Sequence, residues 1–278
     1  MFCPSISAST VASLIGLNPY RPRHESMYAI MRKESTLKER MTRLENENQL
    51  VSYEAMRRKL AWAPEVRHVV NLGVKESQTN QNIPDIVERA TEAINTVARM
   101  RFPTMPDHVR AAMVKECASD IHKQRGLQNE DAVLNQYEAA TETVVTERNT
   151  CMRYADCGSY KLCGRIDGYV ESLNRIVDSK ERTRHWSTVP IYDEIQMRVY
   201  MELMGCPEAE LVERFPNGKT RNTIFKRDAA IWKTIHDSLE KVAGEMREAA
   251  NSDELLLKII YANTFKDDSR PIPNASNA

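Results

Sequence analysis

The sequence predicts a protein of the α/β (mixed α+β) class, in which a run of short strands lies between helical segments. Residues 24–120 show polar, helical patterns, residues 143–184 change to short strand patterns, and residues 190–249 return mainly to helix around one hairpin. We predict a single domain over 1–266, with a helical elaboration at 24–120, a core at 121–250 and a flexible tail at 267–278.

The composition indicates a soluble, intracellular protein without a membrane partner. Hydrophobic residues make up 41% of the chain, which is enough for a sizeable core. Lys and Arg together number 39, equal to Asp and Glu, so the formal net charge is zero. Zero net charge argues against indiscriminate coating of nucleic acid but leaves room for a local basic groove. The sequence shows neither a long apolar run nor a signal peptide.

The six cysteines do not follow a zinc-binding pattern. Cys151, Cys157 and Cys163 are separated by five residues each time, wider than the usual spacing of zinc pairs. We therefore interpret the cysteines as ordinary reduced thiols.

Hydrophobic periodicity, together with glycine and polar segments that interrupt it, divides the chain into predicted helices and strands. Gly126 is expected to end one helix and let another restart, and the polar segment 75–82 predicts a loop. The predicted helices cover 11–16, 24–48, 50–62, 84–100, 106–124, 127–139, 190–204 and 228–249. The predicted strands cover 143–147, 151–155, 160–170, 175–182, 210–215 and 220–227. An apolar stripe in 24–48 suits either core packing or a subunit contact, so a homo-oligomer stays an open alternative.

A predicted hairpin carries the strongest candidate site. Strand alternation and a polar turn at 171–174 could place Asp167, Asp178 and Lys180 side by side. Two adjacent carboxylates repel unless a cation lies between them, and a hard divalent ion such as Mg²⁺ suits oxygen ligands. The alternative is a solvated turn that happens to carry acids.

Two predicted helices carry further polar candidates. Glu130 shares a helix face with Leu127, Leu134 and Tyr137, where a lone carboxylate is costly unless it is paired or bound to metal. It could instead reach solvent or an arginine. Gln196 and Tyr200 lie four residues apart, so they project together from the helix at 190–204.

The N-terminal segment is also suited to binding an anion. Ser9 precedes the predicted helix at 11–16, a turn that includes Tyr20 follows, and Arg21 comes next. Hydroxyls and amides at a helix start suit a phosphate. A capped helix followed by a turn is the simpler interpretation.

Taken in order, these motifs resemble the PD-(D/E)xK nuclease superfamily, and within it the YqaJ-like viral recombinases related to lambda exonuclease. Ala8-Ser9 and the segment 16–20, Gly-Leu-Asn-Pro-Tyr, match an N-terminal signature of those relatives. Gly126 and Glu130 match a Gly-x-x-x-Glu helix, and the Gln-x-x-x-Tyr pair resembles the RecB-type branch. The resemblance implies a restriction-endonuclease-like core, with a central mixed sheet flanked by helices and a helical N-terminal elaboration.

Three features depart from the pattern of those relatives. The second acid is Asp178, where many of them have Glu. About a hundred residues separate the N-terminal signature from Glu130, more than in compact members. The closely spaced C-terminal cysteines of some RecB-type relatives are missing, so no iron–sulfur cluster is expected.

The resemblance implies a metal-dependent DNA exonuclease that degrades duplex ends from 5′ to 3′. Glu130, Asp167, Asp178 and the Ser179 carbonyl would bind one or two Mg²⁺, with Mn²⁺ as a substitute, and Lys180 would complete the chemistry. Gln196 and Tyr200, the remaining members of the catalytic set, would steer DNA or hold Lys180. The substrate-binding set would comprise Ser9, Tyr20, Arg21 and Arg165.

The resemblance also suggests partners and context. Double-stranded DNA ends are the expected substrate, a single-strand annealing protein is a candidate partner, and a virus or phage is the expected source. A viral protein would act in the host cytoplasm or nucleus, in recombination, replication or repair. The alternatives are an endonuclease of the same fold and an inactive DNA-binding protein on that scaffold.

Overall fold

The computed structural model describes residues 2–80, 82–150 and 152–266. Helices α1 to α10 cover Ala8–Leu14, Arg23–Met31, Ser35–Glu47, Tyr53–Ala61, Pro64–Ser77, Ile83–Arg101, Asp107–Thr141, Ile191–Met204, Ala229–Ala250 and Asp253–Tyr261. Strands β1 to β9 cover Ser5–Ser7, Leu50–Ser52, Met152–Asp156, Lys161–Arg165, Gly168–Val170, Arg175–Glu181, Glu208–Arg214, Thr220–Lys226 and Thr264–Lys266.

The predicted α/β class with mixed sheets is confirmed. The chain divides into two compact units, and the first comprises residues 1–34 and 125–255. It holds a three-stranded sheet, ordered β1-β4-β3, and a four-stranded sheet, ordered β5-β6-β7-β8. In the second of these sheets β6 and β7 are parallel, joined through α8, and the outer pairs are antiparallel. This parallel pair forms the centre of the unit.

The two central strands are covered on both faces, which decides how polar groups on them behave. Ile176 and Val177 are successive residues of β6, so they point to opposite faces, and both are fully buried. Val133, Leu134 and Tyr137 of α7 pack in one cluster with Val177. A carboxylate further along β6 is therefore buried as well.

The second unit comprises residues 35–124 and, of the described C-terminal residues, 256–266, and it is mostly helical. Strands β2 and β9 form a short antiparallel pair within it. Its core includes the fully buried side chains Leu60, Ile83, Ile94, Met113 and Ile121. That 24–120 is an elaboration within one domain over 1–266 stays a prediction. The expected tail at 267–278 lies outside the described residues.

The expected helix break at Gly126 is wrong, because α7 runs without interruption from Asp107 to Thr141. A glycine inside a helix costs about 1 kcal/mol relative to alanine. Here the helix is anchored on both sides of the glycine, by Ile121 and by Leu134, each fully buried. Burial of one such side chain contributes about 1.5–3 kcal/mol, which outweighs the glycine.

Gly126→Ala is accordingly expected to stabilise the protein by about 0.5–1 kcal/mol. A β-carbon at this position meets no atom within 4 Å, so the substitution adds no clash. Thermal or urea unfolding measures the change. Gly244→Ala in α9, where a β-carbon also meets open space, serves as the matched variant and should behave alike. A loss of stability in both would contradict this account.

Several boundaries also differ from the sequence predictions. The segment 143–147 is no strand and contributes one bridge, between Thr146 and Tyr169, since Glu142 and Glu147 take left-handed backbone angles. The predicted strand 160–170 divides into β4 and β5, which lie in different sheets. Helix α1 begins at Ala8, so Ser9 lies within its first turn and Ser7 occupies the cap position.

The helical region differs in detail too. Helix α5 continues to Ser77, so the predicted loop at 75–82 is shorter, and Gln81 lies outside the described residues. The stretch 24–48 divides between α2 and α3, and 50–52 is a strand. Cys3, Cys117, Cys157, Cys163 and Cys206 are free thiols, and Cys151 lies outside the described residues. Within the described ranges, no helix is long and apolar enough to cross a membrane.

Candidate active site

The hairpin predicted from the sequence is formed by β5 and β6. Gly168 lies opposite Val177, and a 3₁₀ turn at Glu171–Leu173 connects the strands. Asn174 closes the turn in the left-handed conformation, with φ of 47°, a region that asparagine tolerates better than most residues. This register brings Asp167, which directly precedes β5, alongside β6.

Asp167 is held against β6 by Ser179. Its Oδ2 accepts hydrogen bonds from the Ser179 backbone N–H at 2.8 Å and from the Ser179 hydroxyl at 3.1 Å. The side chain is buried, with 8% exposure. Asp167 therefore has a fixed position although it lies in the break between two strands.

Asp178 is a buried carboxylate with unused hydrogen-bonding capacity. It is 1% exposed, and neither carboxylate oxygen has a hydrogen-bond partner among the described residues. The Lys180 Nζ lies 2.5 Å from Asp178 Oδ2 and forms an ion pair with that oxygen, so Oδ1 is the oxygen left without a close polar partner in the described part of the chain. A buried carboxylate with free lone pairs is costly, which favours a role beyond packing.

Burial and the neighbouring charges determine the protonation of Asp178 and Lys180. Burial raises the pKa of Asp178 to about 7, with a further increase from Asp167 that the Lys180 ammonium partly offsets. Burial lowers the pKa of Lys180, but Asp178, Asp167 and Asp193 together raise it above its ordinary value. Lys180 therefore stays an ammonium ion across the physiological range.

Glu130 lies close enough to interact with this group. It is half-buried on α7, and the Asn149 amide donates a hydrogen bond to its Oε2 at 3.1 Å. Burial and the charge of Asp167 raise the pKa of Glu130, while Lys180 and Arg165 lower it. The predicted apolar stripe is wrong at one end, because Leu127 is 62% exposed.

Gln196 and Tyr200 form a hydrogen-bonded chain that reaches the strand before Asp167. The Gln196 amide donates to the Tyr200 hydroxyl at 2.8 Å, and that hydroxyl donates to the Arg165 carbonyl at 2.8 Å. Tyr200 is buried, and burial followed by the charge of Asp178 raises its pKa. These bonds hold the backbone next to Asp167, whereas the expected hydrogen bonds to Lys180 are not among those described.

Gly164 makes room for this arrangement. A β-carbon there would lie 2.8 Å from Tyr200 Cε1 and 2.9 Å from Leu203 Cδ1, closer than real contacts allow. Gly168 lies on the other side of Asp167, and a β-carbon there would lie 2.2 Å from Val145 Cγ1. The aspartate is therefore flanked by two glycines that allow close packing.

Gly164→Ala is expected to destabilise the protein by about 1–3 kcal/mol, because the new methyl group must displace Tyr200 or Leu203. Displacing Tyr200 would also break its bond to the Arg165 carbonyl. Urea unfolding measures the loss, with Gly126→Ala as the matched substitution in open space. Equal stability of Gly164→Ala and the wild type would contradict the packing described here.

The N-terminal candidates lie in the same unit but are not joined to one another by a described hydrogen bond. Helix α1 packs against α8 and β4. The Ser9 hydroxyl lies 3.3 Å from that of Ser7, and Arg21 pairs with Glu25 at 3.1 Å. Tyr20 is 66% exposed, and its ring meets that of Tyr192 edge-on. The side chain of Arg165 is exposed near Glu130.

A buried ion-pair cluster beside Lys180 was missed from the sequence. Arg182 donates to Asp193 at 2.7 Å and to Glu213 at 2.8 Å, and Glu213 is fully buried. The available signals were Asp193 in the first helical turn after Pro190 and Arg182 two residues beyond Lys180. Because Asp193 raises the pKa of Lys180, this cluster belongs to the electrostatics of the site.

The donor chemistry of the site suits a hard divalent cation. Carboxylate and carbonyl oxygens are the ligands that Mg²⁺ and Mn²⁺ prefer, and Asp178 offers the buried Oδ1, which has no close polar partner among the described residues. Within the described ranges, no group of three or more His, Cys, Asp or Glu side chains is gathered as a ready metal cluster. A cation at Asp178 would compete with the Lys180 ammonium for the same carboxylate.

The similarities of the chain to known proteins lie among solved structures. No protein-family model and no curated protein matches the sequence. Among solved structures, the chain is similar to an alkaline exonuclease from Laribacter hongkongensis, with 19% identity and a TM-score of 0.38 over 51% of this chain and 72% of that one. A phage-related exonuclease from Haemophilus somnus 129PT gives 17% identity and a TM-score of 0.39, over 50% of this chain and 73% of that one.

A third structure is similar over most of the chain. It is a candidate exonuclease from Eubacterium rectale, with 13% identity and a TM-score of 0.39 over 97% of this chain and 90% of that one. Each of the three is described as an exonuclease. The functional proposal for this chain rests on the residues of the site.

Proposed function

We propose that the chain is a metal-dependent deoxyribonuclease of the PD-(D/E)xK type that degrades duplex DNA from its 5′ ends. The observation that carries this proposal is the buried Asp178 carboxylate, which lies beside Asp167, pairs with Lys180 through Oδ2 and leaves Oδ1 without a partner among the residues that the structure describes. A structural carboxylate would be expected to have its lone pairs satisfied. This one is suited to receive a cation.

Four oxygen donors would hold the metal: Glu130, Asp167, Asp178 and the Ser179 carbonyl. When bound there, Mg²⁺ or Mn²⁺ supplies charge neutralisation at the scissile phosphate and lowers the pKa of a coordinated water. Asp178 is paired with Lys180, and Asp167 is already positioned by Ser179. The protein's part is to keep these oxygens in place before the substrate arrives.

Lys180 would act on the reacting atoms. Its raised pKa keeps the ammonium protonated, so it can donate a hydrogen bond to the attacking water or to a non-bridging phosphate oxygen. Gln196 and Tyr200 act as positioning residues through the Arg165 carbonyl. The Arg182 cluster fixes the strand end directly after Lys180.

End recognition would involve Ser9, Tyr20, Arg21 and Arg165. The pair between Arg21 and Glu25 is solvent-exposed, with 37% and 46% side-chain exposure, and such pairs are worth little. A terminal phosphate could therefore replace Glu25 as the partner of Arg21 at small cost. Two oxygens of a phosphate can accept parallel hydrogen bonds from one guanidinium, so a terminal phosphate suits Arg21.

End dependence is tested with three substrates in Mg²⁺: a linear duplex with 5′-phosphates, the same duplex with 5′-hydroxyls, and a closed circle. We expect degradation of the phosphorylated duplex, slower degradation of the hydroxyl form, and an intact circle. Arg21→Ala should remove the preference for phosphate. Arg43→Ala, which breaks a similar exposed pair with Glu47, is the matched control and should retain it.

Cutting of the circle would instead assign the chain to the endonucleases of this type. Binding of all three substrates without cleavage would assign it to DNA-binding proteins on the same scaffold. A 5′-to-3′ exonuclease releases nucleotides and leaves a 3′ single strand, the substrate that a single-strand annealing protein requires. We therefore place the activity in viral or phage recombination, replication or repair.

A further inference from the structure

The loop that follows β6 exposes an arginine stacked on an aromatic ring. The guanidinium carbon of Arg184 lies 4.3 Å from the centroid of the Trp186 ring. Arg184 is exposed, and within the described ranges no carboxylate forms an ion pair with it. Its charge therefore remains available to a ligand.

This loop is held by buried charges beneath it. Arg221 Nη1 donates to the carbonyls of Trp186 at 2.8 Å and Ser187 at 3.0 Å. Arg221 is itself paired with the fully buried Glu213 at 2.7 Å. The His185 ring packs on Phe215, with centroids 4.8 Å apart. The loop thus presents its aromatic group from a fixed backbone, which reduces the entropy lost on binding.

Two tyrosines extend the aromatic surface. Tyr20 is 66% exposed, and its ring centroid lies 5.9 Å from that of Tyr192. Arg182, two residues before Arg184, donates to Asp193, the residue after Tyr192, at 2.7 Å, which brings the loop and the start of α8 together. Arg184 itself follows Lys180 by four residues.

We propose that this surface, formed by Tyr20, Arg184, Trp186 and Tyr192, binds unpaired nucleotides of the DNA strand next to the active site. The inference rests on the proposed nuclease function and adds a single-strand subsite to it. Aromatic rings stack on bases of any sequence, and an arginine beside them pairs with the backbone phosphate. A paired duplex hides its base faces, so the surface suits a strand that has been separated.

The test uses tryptophan fluorescence, because the chain has three tryptophans. The double variant Trp62→Phe/Trp232→Phe leaves Trp186 as the only indole. It is titrated in EDTA, which prevents metal-dependent cleavage, with a 5′-phosphorylated oligothymidylate of about 12 nucleotides. We expect saturable quenching, and about tenfold weaker binding when Arg184→Ala is added. Arg184→Lys in place of Arg184→Ala should retain part of the affinity. Arg43→Ala, the control substitution, should leave the affinity unchanged.

Fluorescence anisotropy of a labelled oligonucleotide provides the independent measure of binding. If the oligonucleotide binds while Trp186 emission stays unchanged, or if Arg184→Ala binds as the wild type does, the subsite is wrong. Retained Mg²⁺-dependent cleavage in that case would leave the proposed nuclease function intact. Absence of both binding and cleavage would overturn the two proposals together.

Discussion

Lys180→Ala is expected to lower the rate of Mg²⁺-dependent DNA hydrolysis about a hundred- to ten-thousand-fold. The ammonium is the cation paired with the buried Asp178 carboxylate, 2.5 Å away, and its pKa is raised by three surrounding acids. A neutral side chain cannot donate the same charge-assisted hydrogen bond in the transition state. Initial rates of nucleotide release from a linear duplex measure the effect.

Two further substitutions distinguish loss of the Lys180 ammonium from a general loss of folding. Lys161→Ala removes an exposed lysine from β4 and should leave the rate within about twofold of the wild type, as most surface changes do. Lys180→Arg should remain slow, because the broad guanidinium fork does not replace a compact ammonium. Circular dichroism checks folding. If Lys180→Ala kept most of the activity, the assignment of this lysine would be wrong.

Asp178→Asn is expected to abolish hydrolysis while making the protein more stable in EDTA at alkaline pH. Burial and the nearby Asp167 raise the pKa of Asp178 from an ordinary 3.8 to about 7. A carboxyl group whose folded pKa is raised contributes stability below its unfolded pKa and loses it as pH rises through the folded value. Above about pH 7 the charged carboxylate therefore lowers the free energy of unfolding, a loss that asparagine avoids.

Thermal unfolding in EDTA across pH tests this sign. The advantage of Asp178→Asn over the wild type should be largest near pH 8 and shrink as pH falls towards about 4. Asp131→Asn, at a carboxylate with 77% side-chain exposure, should show little difference at any pH. In buffer with Mn²⁺ and no EDTA, the metal should stabilise the wild type and not Asp178→Asn, since only the wild type retains the carboxylate. An advantage that grew towards acid pH would contradict the electrostatic account.

The parts of the fold set by local patterns were predictable. Alternation, the polar turn and a short connection were enough to give the β5–β6 hairpin and hence the proximity of Asp167 to β6. Helix α8 begins just after Pro190 and ends at Gly205, the positions at which these residues usually bound a helix. Such signals depend on a few neighbouring residues and need no knowledge of tertiary contacts.

The remaining features depend on residues that are distant in the chain. Gly126 ends no helix because side chains packed on either side of it outweigh its propensity. The strand broken at Asp167 could not be predicted from alternation, since its halves join different sheets. The hydrogen-bonded ion pair of Arg182 and Glu213 joins residues 31 positions apart, and no local signal specifies it. Charge clusters of this kind become visible only once the strands are placed.

The most direct test of the active site is nucleotide release from a 5′-phosphorylated linear duplex, measured with Mg²⁺ and with EDTA for the wild type and Asp178→Asn. We predict release by the wild type in Mg²⁺ and none in the other three reactions. Release by Asp178→Asn at the wild-type rate, or release in EDTA, would place the chemistry elsewhere. A wild type that binds the duplex and releases nothing would show that this carboxylate and its lysine do not cut DNA.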